Sequence, residues 1–175
     1  MTKKHSARRY ARAAFDLALK QQKLDEWQAG LDTVERLAED KEITAYMESP
    51  DIRFEDKASL LAKQLGQVEP LVLNLVCLLL ERGGFAILPE VASEYRRLLD
   101  EQNNVERAVA TTAVPLDAED EKRLAKQLED ITGKQVMLEH QLDPELIGGV
   151  VVRVAGKLMD GSTRGRLQAL KRELS

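Results

Sequence analysis

The residues with most to offer proton, nucleophile or metal chemistry are two histidines, His5 and His140, and a lone cysteine, Cys77. His140 alternates with Val136, Leu138 and Leu142 in a stretch that reads as a strand, where an imidazole could shuttle a proton or ligate a metal. No second histidine or nucleophile stands near it, which favours a partly buried structural histidine. His5 lies in an opening stretch without a core pattern. Cys77 sits inside the most apolar run of the chain, a setting that raises a thiol's pKa and leaves it inert. Gly83-Gly84 and Gly148-Gly149 invite a phosphate-loop reading, but neither has the glycine spacing that aims several amides at one phosphate. They read instead as a helix cap and as the tight lead-in to a strand. Carboxylates are many, yet no pair is isolated in an apolar setting that would shift a pKa. Catalysis by this chain alone is not expected, nor is a metal or a cofactor.

Basic side chains gather at both ends: Lys3, Lys4, Arg8, Arg9 and Arg12 at the start, then Arg153, Lys157, Arg164, Arg166, Lys171 and Arg172. A solvated face explains them most simply. As contact surfaces they suit an acidic protein better than nucleic acid, because no aromatic is interleaved in the second cluster to stack a base. The net charge of -4 points the same way.

The elements that would position these groups are organised around Leu71 to Leu80, where nine of ten residues are apolar and only Asn74 interrupts. Pro70 suits a first helical position and Gly83-Gly84 a C-terminal cap, so the spacing predicts a helix over 70–82. A bilayer span needs about 20 such residues, so this run is too short to cross a membrane. Ala7, Ala11, Ala14 and Ala18 form a small-residue stripe on a first helix, and Tyr10, Ala13, Ala14 and Leu17 an adjoining one. Leu24, Trp27, Leu31, Val34 and Ala38 continue on a second helix, with Trp27 a core residue. A short third helix around Ile43, Tyr46 and Met47 stops before Pro50, and Ala58, Leu61, Ala62 and Leu65 mark a fourth that Gly66 closes. Pro89 opens a sixth, with Val91, Ala92, Tyr95, Leu98 and Leu99 inward. Six helices with short connections predict an antiparallel bundle over residues 1–105.

Beyond residue 105 the texture changes. Val105 to Val114 reads as a strand ending at Pro115, residues 117–132 as a charged helix, and Val136 to Leu142 as a second strand. Val150, Val152 and Val154 alternate on a third strand, Lys157 to Asp160 make a short fourth, and a last helix starts at Ser162 with Leu167, Leu170 and Leu174 inward. Residues 106–175 are thus a small α+β domain of order β-α-β-β-β-α, and the whole is α+β, mainly α. Aromatics at 4% beside 43% hydrophobic residues suit helix packing. One cysteine excludes an internal disulfide or a thiolate metal cage, so a reducing compartment is the simplest home. Met1 to Gln22 is basic and amphipathic like a mitochondrial presequence, but Asp16 and the packing stripe favour a structural helix.

The functional content lies in surplus apolar surface. On the predicted 70–82 helix, Val72, Val76 and Leu80 with Leu73 and Cys77 form a wholly apolar core stripe. Leu71, Leu75, Leu78 and Arg82, with Leu79 beside them, border solvent while staying apolar. Laid beside the first helix, this stripe and Tyr10, Ala13, Ala14 and Leu17 make a groove of the kind that holds an amphipathic helix. Six anchors at roughly 1.5–3 kcal/mol give about 9–18 kcal/mol against an association cost of about 4–15 kcal/mol, so affinity ranges from weak to nanomolar.

Ala7-Arg-Arg-Tyr-Ala-Arg-Ala-Ala-Phe15, Glu81-Arg-Gly-Gly-Phe-Ala-Ile-Leu-Pro89, Asp143-Pro-Glu-Leu-Ile-Gly-Gly-Val-Val-Val-Arg-Val154 and Asp160-Gly-Ser-Thr-Arg-Gly-Arg-Leu167 together resemble the delta subunit family of bacterial F-type ATP synthase, whose mitochondrial counterpart is the oligomycin-sensitivity-conferring protein. The resemblance spans nearly the whole chain, with Ala155-Gly156-Lys157 departing from the glycine expected one position earlier. It implies a non-catalytic stator link on the cytoplasmic face of the bacterial plasma membrane, peripheral and without membrane insertion or nucleic acid. The first domain would take the N-terminal helix of an alpha subunit between its first and fifth helices, through Tyr10, Ala13, Ala14, Leu17, Leu75, Leu78 and Leu79. The second would meet the C-terminal region of the b subunits of the peripheral stalk, with Arg153, Arg164 and Arg166 as the basic contacts. A free-standing helical adaptor for some other amphipathic helix, and a nucleic-acid-binding domain, are the alternatives.

Overall fold

The computed structural model describes residues 3–162 apart from 67 and 147, with side chains from residue 6 onward. Helices α1 (Lys3–Gln21), α2 (Leu24–Glu39), α3 (Lys41–Glu48), α4 (Phe54–Leu65), α5 (Pro70–Glu81) and α6 (Leu88–Gln102) come first. Strand β1 (Val105–Thr112), helix α7 (Ala118–Thr132) and strands β2 (Gln135–Leu142), β3 (Val150–Val154) and β4 (Lys157–Asp160) follow. The class is α+β, mainly α. The last expected helix, with Leu167, Leu170 and Leu174, lies outside the described residues. Two compact units divide between Leu99 and Asp100. That is within α6 and earlier than the change of texture near residue 105, and the Asp100 carboxylate accepts from the Arg107 guanidinium of β1.

In the first unit the alanine stripe of α1 is almost fully buried, at 0–2% exposure, alongside Phe15. Tyr95 of α6 is the hub: its ring meets Phe15 edge-on at 5.6 Å and stacks on Trp27 at 6.4 Å, and its hydroxyl donates to the Leu24 carbonyl at 3.1 Å. Val72, Val76, Leu79 and Leu80 of α5 complete this core. Gly30 brings α2 close to the chain before and within α5, since a Cβ there would stand 2.9 Å from Val68 Cγ1. The ends of α5 follow from sequence. Pro70 occupies its first turn, and past its end the amides of Gly83 and Gly84 donate to the carbonyls of Leu80 and Leu79, satisfying groups a helix terminus leaves open. Between α5 and α6 a 3-10 turn, Phe85–Ile87, drives Phe85 into the core, where sequence periodicity shows only a connection. Lys57 is buried and its ammonium donates to the Ser49 carbonyl at the end of α3, a cation placed where helix dipole and open carbonyl both favour it.

In the second unit the sheet order is β2-β1-β3-β4. β1 is parallel to β2, with α7 as the crossover, and antiparallel to β3. Asp117 caps α7 by accepting from the amides of Glu119 and Asp120, and left-handed Gly133 ends it. Ala108, Ala110, Val136, Val152 and Val154 form the covered face, against Leu124 and Leu128 of α7. β1 stops at Thr112, two residues short of the expected end, because the Thr112 hydroxyl turns to the Val114 carbonyl. Ala155 and Gly156, at φ 50° and 74°, form the two-residue turn from β3 to β4. Gly149 is needed where it stands: at φ +85° a Cβ would lie 2.5 Å from the Gly161 carbonyl oxygen.

Candidate protein-binding site

Two side-chain ties fix α1 against α5. Toward the middle of α1, the Tyr10 hydroxyl accepts from Arg82 Nη1 at 3.1 Å, just past the end of α5. Just past the end of α1, the Lys23 ammonium donates to Glu69 at 3.0 Å, just before α5 begins. The two helices therefore run antiparallel between these ties. Tyr10 to Lys23 and Glu69 to Arg82 are equal stretches of chain, each about 20 Å at a helical rise. Counting inward from the ties brings Leu17 level with Leu75, Ala14 with Leu78 and Ala13 with Leu79. Lys23 is held protonated above its ordinary pKa by hydrogen bonds to Glu69 first and Glu26 second.

Along this seam Leu17 is 45% exposed and Leu78 38%, Ala13 is open, and Tyr10, Leu71 and Leu75 are half-buried. Ala14 and Leu79 are not groove residues in the structure. At 2% and 1% exposure they lie beneath the groove and have no surface to offer. Leu79 falls between the two stripes of α5, and the core wraps far enough round that helix to claim it. Leu73 and Cys77, assigned to the core stripe, are only half-buried. The rim is cationic at the Tyr10 end: the Arg9 guanidinium lies over the Tyr10 ring, 5.8 Å from its centre, while Arg82 holds its hydroxyl.

The catalytic candidates do not converge. His140 is half-buried on β2 with Nε2 2.6 Å from Thr112 Oγ1. The Thr112 hydroxyl donates to the Val114 carbonyl, which leaves His140 Nε2 as the donor to Thr112 Oγ1. Burial pushes the Cys77 thiol up, away from the reactive thiolate. Among the described residues no group of three metal-ligating side chains comes together. Nor is any described helix long and apolar enough to cross a membrane. Of the basic residues expected at a stalk contact, Arg153 is exposed on β3, while Arg164 and Arg166 lie outside the described residues. The N-terminal cluster is partly matched, Arg12 with Asp16 at 3.4 Å and Arg8 facing Glu94 at 3.9 Å.

Sequence reasoning missed the ties themselves and the clamp of Arg96 between Asp32 and Glu35, at 2.6 and 2.7 Å. Arg82 and Arg9 were visible as charges, one ending an apolar stripe and one in a basic run, but no local pattern brings them to the same tyrosine.

The family described as ATP synthase delta (OSCP) subunit matches residues 7–174. The ATP synthase subunit delta of Dehalococcoides mccartyi is 40% identical over 169 residues, covering 97% of this chain and 93% of that one. The protein of the same name from Moorella thermoacetica is 34% identical, with 99% and 98% covered. A chain in the cryo-EM structure of the Toxoplasma gondii mitochondrial ATP synthase hexamer superposes with a TM-score of 0.71 at 25% identity, covering 96% of each. With near-complete coverage in sequence and in fold, the chain belongs to the ATP synthase delta (OSCP) subunit family.

Proposed function

We infer that the chain works by holding other proteins together: as a member of its family it is a non-catalytic stator subunit of the F-type ATP synthase, part of a large hetero-oligomer. It links the alpha/beta head to the peripheral stalk, so that the head does not turn with the rotor during proton-driven synthesis. The first unit, a six-helix bundle, takes the N-terminal helix of an alpha subunit in the α1/α5 groove. The second unit meets the C-terminal region of the b subunits, with Arg153 on the contacting side. The protein sits peripherally, at the cytoplasmic face of the bacterial plasma membrane.

The observation that carries this reading is the seam itself: two antiparallel helices tied at both ends, with Leu17 and Leu78 exposed between the ties. About 20 Å of apolar seam matches some 13 residues of a docked helix. Two contacts of moderate strength on one chain hold firmly through linked binding. The test is calorimetric titration of the full chain with a synthetic peptide of the first 20 or so residues of the alpha subunit. One-to-one submicromolar binding is expected. Absence of binding to both the peptide and whole alpha/beta heads would overturn the assignment.

A further inference from the structure

The Tyr10 end of the groove carries more than apolar surface. Arg82 donates to the Tyr10 oxygen, so the phenol's own proton is free to donate outward. Arg9 lies over the ring of the same residue. Among the described residues neither guanidinium has a carboxylate within ion-pair reach, although nearby cations do: Arg12 has Asp16, Arg8 has Glu94, and Lys23 has both Glu69 and Glu26. At the far end, with Lys23 so matched, Lys20 is the exposed cation of α1 that stands nearest. Two unmatched guanidiniums and an outward hydroxyl at one spot make a receptor for a carboxylate, the geometry arginine favours for planar anions. A free anion would leave Leu17, Leu75 and Leu78 without a partner. The fitting ligand therefore has an apolar body and an acidic tip.

We propose that Tyr10, Arg9 and Arg82 form a carboxylate-recognition site that fixes the direction of the docked helix, whose acidic side chain lies at the end over Tyr10. This rests on the groove reading above and adds polarity to it. An apolar seam alone accepts a helix either way round, whereas two unmatched guanidiniums and a hydroxyl at one end, against the single Lys20 at the other, make the two directions unequal.

The test uses the full chain and four synthetic amphipathic helices sharing one leucine stripe. Two carry a pair of glutamates, in the first turn or in the last, and two carry lysines in the same places. Calorimetry is run at about 0.05 M and about 0.5 M salt, where the screening length differs about threefold. Since an exposed ion pair contributes about two- to fivefold, one glutamate helix is expected to bind about tenfold tighter than its lysine counterpart at low salt. The gap should shrink at high salt, close in Arg9→Ala/Arg82→Ala, and narrow two- to threefold in Tyr10→Phe. Equal affinities for glutamate and lysine helices, or a gap that survives removal of both arginines, would overturn the site while leaving the groove intact. Binding of no helix, or binding that persists in Leu78→Glu, would overturn the groove and the site with it.

Discussion

On the proposed groove, Leu78→Glu is expected to separate docking from folding, because Leu78 is part packed and part exposed. With 38% of its surface exposed, the share left for a partner to cover is worth about 0.6–1.1 kcal/mol, taking roughly 1.5–3 kcal/mol for a fully buried leucine. The share already packed in the free protein is worth about 1–2 kcal/mol, which bounds the loss of stability. The new carboxylate can turn outward, one helical turn from Arg82, where a pair at this spacing restores a few tenths of a kcal/mol. In the complex it has no such freedom. An ionised group pressed into an apolar seam costs several kcal/mol beyond the lost contact, so the total is at least about 3 kcal/mol and the affinity falls more than about a hundredfold. Calorimetry against the alpha N-terminal peptide reads the affinity, and a thermal melt followed by circular dichroism reads the fold. Leu79→Glu is the counterpart: at 1% exposure Leu79 belongs to the core, and that variant is expected to unfold. A folded Leu78→Glu protein binding within about threefold of the natural chain would refute both the seam and the energy estimate.

The turn between β3 and β4 forces Ala155 into a left-handed conformation that costs a non-glycine residue about 1–2 kcal/mol; less the roughly 0.4–1 kcal/mol that glycine adds to unfolded-chain entropy, Ala155→Gly should raise stability by about 0.5–1 kcal/mol in urea denaturation. Tyr95 is held protonated well above the ordinary phenol range, by burial first and by Asp25 second. Its folded pKa exceeds the unfolded one, so its contribution is intact below about pH 10 and falls by up to about 1.4 kcal/mol per pH unit above it. Tyr95→Phe should remove that alkaline slope. For the stalk, Arg153→Glu is expected to weaken binding of the C-terminal region of the b subunits two- to fivefold with peptide binding at the groove unchanged, and an unchanged stalk affinity would remove Arg153 from the contact.

What the sequence reveals here is what short-range periodicity and punctuation encode. The alanine stripe of α1, the leucine run of α5 with Pro70 before it and Gly83 after it, and the valine alternation of β3 are each written within a dozen residues. The depth of Leu79, by contrast, depends on how far neighbouring helices wrap round α5, which its own sequence does not state. Phe85 in its 3-10 turn escapes because three residues are too few to show a period. The parallel pairing of β1 with β2 and the two ties along the groove join residues 30 to 72 positions apart, so only the folded chain brings them together. Ala155 runs against its own propensity, and the hairpin forms because the strands on either side are already in register.

The place of β1 in its sheet also bears on force. A pull passed along the backbone from the first unit reaches the sheet of the second at Val105, shortly after α6 ends at Gln102. That residue begins a strand held on both sides, eight of its residues in register with β2 and five with β3. Tension directed along such a strand is shared by two hydrogen-bond ladders at once, so it yields only by sliding past both neighbours together. An edge strand such as β4 could instead be peeled away one bond at a time. A brace that must resist repeated torque gains from receiving its load at the strand that is hardest to strip.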